Sequence, residues 1–340
     1  MYQRIEYIDA IRGFAIILVV MGHAIAWNYP DWNKVCLFSQ TQSKELMIGG
    51  VVWQLIYSFH MALFFMVSGY LSGLADINRS NFFSRIKNKT LRLLIPYLAT
   101  GYLIFFVRGN WGYWFLLTLF EMSIIWMFLY VLLKKFNPTS AVWKDIIVMA
   151  LVYGILRGLS VFSLTAEYID SNLLKYFIPF CFGCLMRRHY EIESLVKNKN
   201  VYTFCLILFF LLFISRYMTD IPILYKVVEK FEFFFSISAL CACIATFSIF
   251  MKGSFSPKIE KFLEYLGTVS MPIYILHILF VIQLPIVGVF FLEQSPVTSI
   301  TMQIVYSLAV SAVVISLSIF LYNILRRSAL IRLLLFGEKY

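Results

Sequence analysis

The chain has 340 residues, of which 61% are hydrophobic and 14% charged, with a mean hydropathy of +0.81 and a net charge of +11. So apolar a composition excludes an ordinary soluble domain and assigns the protein to a lipid bilayer. Topology and attraction to anionic headgroups account for the positive charge, so no nucleic-acid partner is needed to explain it.

Ten stretches reach the about 17 to 25 residues that a helix needs to cross a bilayer. They are 8–28, 49–75, 91–107, 112–133, 145–165, 171–187, 201–219, 233–251, 268–292 and 303–325. They predict an all-α, polytopic membrane helix bundle made of one membrane-embedded domain over residues 1–340. The first stretch lacks a small-residue cleavage site and holds charges, which predicts a retained helix rather than a signal peptide. Most Lys and Arg fall in the connections 76–92, 134–144, 187–200 and 252–267 or at the two ends. The opposite connections hold Lys34, Lys44, Arg108, Arg216, Lys226 and Lys230. Because basic residues of short loops stay inside, both termini are expected in the cytoplasm. The tail 326–340 mixes Arg326, Arg327 and Arg332 with Leu and Ile, the pattern of an interfacial amphipathic turn. No internal repeat is visible, which disfavours the duplicated architectures of many secondary transporters.

The first span carries Asp9, Arg12 and His23. Ionisable groups inside a spanning helix cost about 2.5 kcal/mol or more each, so they face the protein interior and mark a path for substrate or protons. Arg12 and His23 are eleven residues apart, close to three turns, so both project from one face about 16 Å apart along the axis. Simpler readings stand beside this one: Arg12 as a snorkelling residue, and Asp9 as a carboxylate favoured by the helix dipole. His60 opens the second apolar block and His277 closes the sequence Met-Pro-Ile-Tyr-Ile-Leu-His; both fall within predicted spans. A single intramembrane histidine is often a helix-to-helix hydrogen bond, but three of them with Arg12, Glu121 and Arg157 point to a shared polar cavity. Glu121 and Arg157 either bind acceptor hydroxyls or form an internal ion pair, and the sequence does not choose. Tyr70, Trp114 and Tyr274 are positioned either to stack on sugar rings or adenine, or simply to pack. Pro272 and Pro285 predict a broken ninth span near His277. His189, in Arg-Arg-His-Tyr, reads as a solvated loop residue. The six cysteines, Cys181-x-x-Cys184 included, read as packing residues, and no set of ligands suggests a metal.

Several blocks together resemble the acyltransferase 3 family. Asp9-x-x-Arg12-Gly13-x-Ala15 with Val19-Val20-x-Gly22-His23 is similar to its opening signature, an Arg, ten residues and a His. Phe59-His60-Met61, Phe64-Phe65-x-x-Ser68-Gly69-Tyr70, Arg92-Leu93-x-x-Pro96, Trp114-Phe115-Leu116, Phe180-x-x-Gly183 and Leu266-Gly267-x-x-Ser270-x-x-Ile273-Tyr274-x-x-His277 follow in the family's order.

The resemblance implies an enzyme that takes an acyl group from cytosolic acetyl-CoA, or another acyl-CoA, and places it on a hydroxyl of a cell-surface glycan or lipid-linked sugar at the bacterial inner membrane. His23 would be the general base. Arg12 would hold a coenzyme A phosphate through its planar fork, oriented by Asp9, with Lys89 and Arg92 adding to the anion site. Ser68, Tyr70, Trp114 and Tyr274, with His60, Glu121, Arg157 and His277, are the candidates for substrate binding. Many members of that family carry a soluble second-transfer domain, and none is expected here. The acceptor is therefore expected to come to the membrane site, or a separate relay partner or homo-oligomer completes the transfer. Direct transfer is the expected mechanism, with an acyl-enzyme on His23 or a transmembrane relay as alternatives. Two competing classes are a transporter of sugars or small acids with a proton relay and a non-catalytic scaffold, which would leave the intramembrane polar set unused.

Overall fold

The computed structural model describes residues 5–28, 44–74, 76–78, 80–108, 113–137, 141–161, 171–217, 232–253 and 255–338. These residues are mostly helical, with no strand among them. Lys34, Cys36, Lys226 and Lys230 lie outside the described residues. The chain divides into two compact units, the first formed by Met1–Leu63 with Lys199–Ile324 and the second by Phe64–Asn198 with Leu325–Tyr340.

In the first unit, α1 (Glu6–Ala26) is an unbroken helix that buries Ile8, Ile11, Ala15, Ile16, Val19 and Val20. α2 (Lys44–Tyr57) follows, and a turn at Ser58 and Phe59 leads into α3 (His60–Gly73), whose later part belongs to the second unit. At that turn the Ser58 hydroxyl donates to the Leu55 carbonyl at 2.7 Å, a local bond that competes with continuing the helix. α10 (Lys199–Tyr217) and α11 (Glu232–Met251) pack together, and α12 (Pro257–Thr268) starts with a proline, whose missing N–H costs nothing in the first turn.

α12 meets α13 (Ser270–Phe280) at a bend of 79°. The hydroxyls of Thr268 and Ser270 donate to the carbonyls of Tyr265 and Gly267 at 2.6 and 2.8 Å, satisfying backbone groups that the bend releases. Pro272, in the first turn of α13, again sacrifices no helical bond. α13 ends at Phe280, and Leu284 donates its N–H to Asn28 Oδ1 at 3.2 Å just before α14 (Pro285–Leu292) begins on a proline. α15 (Pro296–Leu325) completes the unit.

In the second unit, α4 (Phe82–Lys89) passes through a π-helical turn at Thr90–Leu94 into α5 (Ile95–Arg108). Pro96 cannot donate to the carbonyl four residues earlier, a local reason for the slip in register. α6 (Trp114–Phe136), α7 (Val142–Val161), α8 (Ser171–Arg188) and α9 (Tyr190–Lys197) follow. α3 and α8 cross at glycines: a Cβ on Gly69 would strike the Phe180 carbonyl oxygen, and one on Gly183 would strike that of Met66. The tail forms α16 (Ala329–Phe336), capped at its start by Ser328 and closed by Gly337 in the left-handed conformation, φ 62°.

Among the described residues, five helical stretches are long and apolar enough to span a membrane: Glu6–Ala26, Val51–Gly73, Trp114–Phe136, Phe234–Met251 and Val297–Leu325. Two bent pairs, α9 with α10 and α12 with α13, raise the number to 7 if each counts as one span. The stretches expected at 91–107, 145–165 and 171–187 coincide largely with helices too, but α5 has only 14 residues, while Lys144, Asp145 and Arg157 on α7 and Lys175, Arg187 and Arg188 on α8 interrupt those apolar runs.

Candidate active site

Because α1 is unbroken, the eleven-residue spacing puts Arg12 and His23 on one face, and that face meets α13 twice. Arg12 Nη2 donates to Ser270 Oγ at 3.0 Å, at the start of α13. Two turns later on the same helix, His277 Nε2 lies 2.7 Å from His23 Nδ1, with the two rings within 11° of parallel. Asp9 Oδ1 accepts from Arg12 Nη1 at 3.2 Å, one turn earlier on α1. Glycines make this docking possible. A Cβ on Gly13 would collide with the Leu263 carbonyl oxygen and one on Gly267 with that of Asp9, so α1 and α12 touch backbone to backbone. That contact fixes Ser270, three residues past Gly267, beside the guanidinium.

Aromatic rings surround the histidine pair. The Tyr57 ring meets His23 edge-on at 6.3 Å and His60 at 4.7 Å, and it stacks on Trp53 at 4.0 Å. Gly22 provides room for it, since a Cβ there would approach Tyr57 Cε2 to 2.6 Å. Trp27 lies 5.6 Å from His23, and Tyr274 lies 6.0 Å from His277. His60 is buried, and its Nδ1–H donates to the Ile56 carbonyl at 2.8 Å. His277 has 0% exposure, and its Nδ1–H donates to the Ile273 carbonyl at 3.0 Å. His23, Arg12 and Asp9 are partly exposed. The arrangement offers a partly exposed imidazole and a partly exposed guanidinium on the same face of α1, groups that can accept a proton and hold an anion.

The structure thus brings six of the sequence candidates together in the first unit: Asp9, Arg12, His23, His60, Tyr274 and His277. The others belong to the second unit. Tyr70 is buried, with Arg187 over its ring at 5.5 Å and Arg187 Nη1 3.4 Å from its hydroxyl. Trp114 stacks on Tyr176 at 5.7 Å, in a column continued by Phe65. Ser68 is partly buried on α3, and its carbonyl accepts from the Ser72 hydroxyl. Glu121 is partly buried on α6, whereas Arg157 is exposed on α7. Lys89 closes α4, and Arg92 stands exposed in the π-helical turn. Burial, and then the charge of Arg92, push the Lys89 ammonium down to a pKa of about 8. Among the described residues, no group of three His, Cys, Asp or Glu side chains is arranged to hold a metal ion.

His189 is not solvated. It has 3% exposure, and its Nε2 lies 2.8 Å from Asp145 Oδ2, which also accepts from Arg188 Nε at 2.9 Å. Asn137 donates to the other Asp145 oxygen at 2.8 Å, so both oxygens of the fully buried carboxylate are engaged and it holds the end of α8 against the start of α7. Nearby, Asp76 accepts from Lys134 and Tyr130 at 3.0 and 3.1 Å; the Lys134 bond above all, then Tyr130, holds its carboxyl below the usual range. Ser270, Tyr57 and Trp27 went unassigned from sequence. Ser270 had a signal, because seven residues separate it from His277, which puts both on one helical face.

The sequence model of the family described as "Acyltransferase domain" matches residues 5–323. A similar curated protein is "Nodulation protein NolL" of Sinorhizobium fredii, 26% identical over 221 residues, covering 58% of this chain and 53% of the relative. The match thus spans about half the length of that relative. No solved structure matches the chain.

Proposed function

Because the chain belongs to the acyltransferase 3 family, we propose that it is a membrane O-acyltransferase that moves an acyl group, acetyl in the simplest case, from a cytosolic acyl-CoA to a hydroxyl of a cell-surface glycan or lipid-linked sugar. The observation that carries this reading is the double engagement of α1 with α13: Arg12 at Ser270 and His23 at His277. A sugar hydroxyl is a weak nucleophile until a base removes its proton. In the proposed step His23 takes that proton as the oxygen attacks the thioester carbonyl. The C–O bond of the new ester forms, the C–S bond breaks, and the proton passes to the departing thiolate of coenzyme A. Arg12, oriented by Asp9 and Ser270, is the group that meets an anionic part of the donor through its planar guanidinium. Lys89 is a further candidate for an anion, because a partly buried ammonium beside Arg92 is stabilised by an incoming phosphate. Residues 1–340 act in this reading as one acyltransferase domain with ten spans and both termini in the cytoplasm, located in the bacterial inner membrane. The tail lies at the interface, and the acceptor reaches the membrane site directly or through a relay partner.

The test uses the purified chain in lipid nanodiscs with acetyl-CoA and a glycan or lipid-linked sugar fraction, following release of free coenzyme A thiol and the mass of the glycan. Thiol release should require acceptor, and His23→Ala should lower it by about 10²- to 10⁴-fold. Full transfer by His23→Ala at normal protein levels removes the base assignment. Failure of the wild-type chain to bind or cleave acetyl-CoA removes the acyl-CoA reading altogether and leaves a transporter as the better account.

A further inference from the structure

We infer that His277 is a positioning residue that fixes the tautomer of His23, placing the proton on Nδ1 and the base's lone pair on Nε2. The inference rests on the reading of His23 as general base and adds which atom acts and what sets it. The chain of logic starts at a backbone carbonyl. Ile273 O accepts only, so the ring nitrogen 3.0 Å away, His277 Nδ1, carries a hydrogen. In a neutral ring, His277 Nε2 is then the lone-pair nitrogen. It lies 2.7 Å from His23 Nδ1, and two lone pairs cannot share that distance, so His23 Nδ1 is the donor. A neutral His23 that is protonated at Nδ1 bears its lone pair on Nε2, across the ring from His277.

The opposite assignment requires His277 to be protonated on both nitrogens. That would place a positive charge on a side chain with 0% exposure inside an apolar helix, at a large desolvation cost. The geometry also explains why His277 needs a helix of its own. α13 is 11 residues long and breaks at both ends, so its direction is set independently of α12, and its i−4 carbonyl orients the imidazole as a carboxylate would. His277 therefore need not touch substrate, in contrast to the substrate-binding role the sequence suggested. A free imidazole in water favours the hydrogen on Nε2, which would block the base, so losing His277 should impair proton abstraction and not donor binding.

The chain holds four histidines, few enough for ¹⁵N magic-angle-spinning NMR of the full-length protein in lipid, with the His23 signals identified by their loss in His23→Asn. The expected wild-type spectrum has a proton-bearing Nδ1 and a lone-pair Nε2 on His23. In His277→Leu the proton should move to Nε2, and transfer turnover should fall about 10²-fold with the donor KM little changed. His277→Gln, whose side-chain oxygen can accept from Nδ1–H, should recover part of the turnover. A wild-type His23 protonated on Nε2 overturns the inference whatever the variants do. So does unchanged turnover in His277→Leu when His23→Ala is inactive, a result that leaves the general-base reading intact. Full transfer by His23→Ala instead removes the general-base reading, and the spectrum still decides the tautomer.

Discussion

Gly267→Ala is the substitution in which fold and chemistry meet. A Cβ at this position would lie 2.6 Å from the carbonyl carbon of Asp9 and 3.0 Å from its Cα, while ordinary contact begins at 3.4 Å. The Asp9 carbonyl oxygen lies nearer still, so the helices must part by more than about 0.8 Å, and the neighbour is backbone, which cannot rotate away. Overpacking of this kind costs about 1 to 3 kcal/mol. The same displacement moves Ser270 away from Arg12 and shifts the start of α13, whose His277 stands 2.7 Å from His23. Misplacing reacting groups by about 1 Å can lower turnover by about 10²-fold, so a loss of 10- to 100-fold is expected. Thermal unfolding in detergent and acetyl-CoA turnover in nanodiscs measure the two effects. Gly158→Ala is the control: a Cβ there has nothing within 4 Å, and helix propensity should make the change neutral or mildly stabilising. A Gly267→Ala protein with the melting temperature and turnover of the wild type would refute the claim that this backbone contact sets the site.

The part of the site on α1 was legible because helical period and hydropathy are local signals. An Arg and a His eleven residues apart in an apolar run share a face of any continuous helix, and α1 is continuous. The break near His277 was legible in kind but not in place. The sequence places Pro272 and Pro285 as kinks inside one span, 268–292. In the structure each stands in the first turn of its own helix, where a proline sacrifices no bond, and the chain turns instead at Val269 and over 281–284. What no local signal carries is the choice of partner. His23 and His277 are separated by 254 positions, and their pairing is decided by the glycine contact between α1 and α12, which a reading of single residues treats as two unrelated small side chains. The same holds for His189, whose basic neighbours suggest solvent; Asp145, 44 positions earlier, accepts from Arg188 and meets His189 within the buried interior.

Arg12→Lys keeps the charge but loses the planar fork that serves Asp9 and Ser270 together. The donor KM should rise about tenfold, and an unchanged value would remove Arg12 from donor binding. Lys89 is cationic below its pKa of about 8 and neutral above it. Donor affinity should therefore weaken as pH rises through that value, and Lys89→Met should remove the dependence; a wild-type affinity that is flat through this range refutes the anion-binding role. Asp145→Asn tests the buried hub. Removing the carboxylate leaves Arg188, whose side chain is only 13% exposed, without its anion, at a cost of about 3 to 5 kcal/mol, whereas Asp145→Asn combined with Arg188→Met removes both charges and should recover part of the lost melting temperature. If the double variant melts no higher than Asp145→Asn alone, the carboxylate's contribution comes from Asn137 and His189, and the ion pair with Arg188 is not what holds α7 to α8.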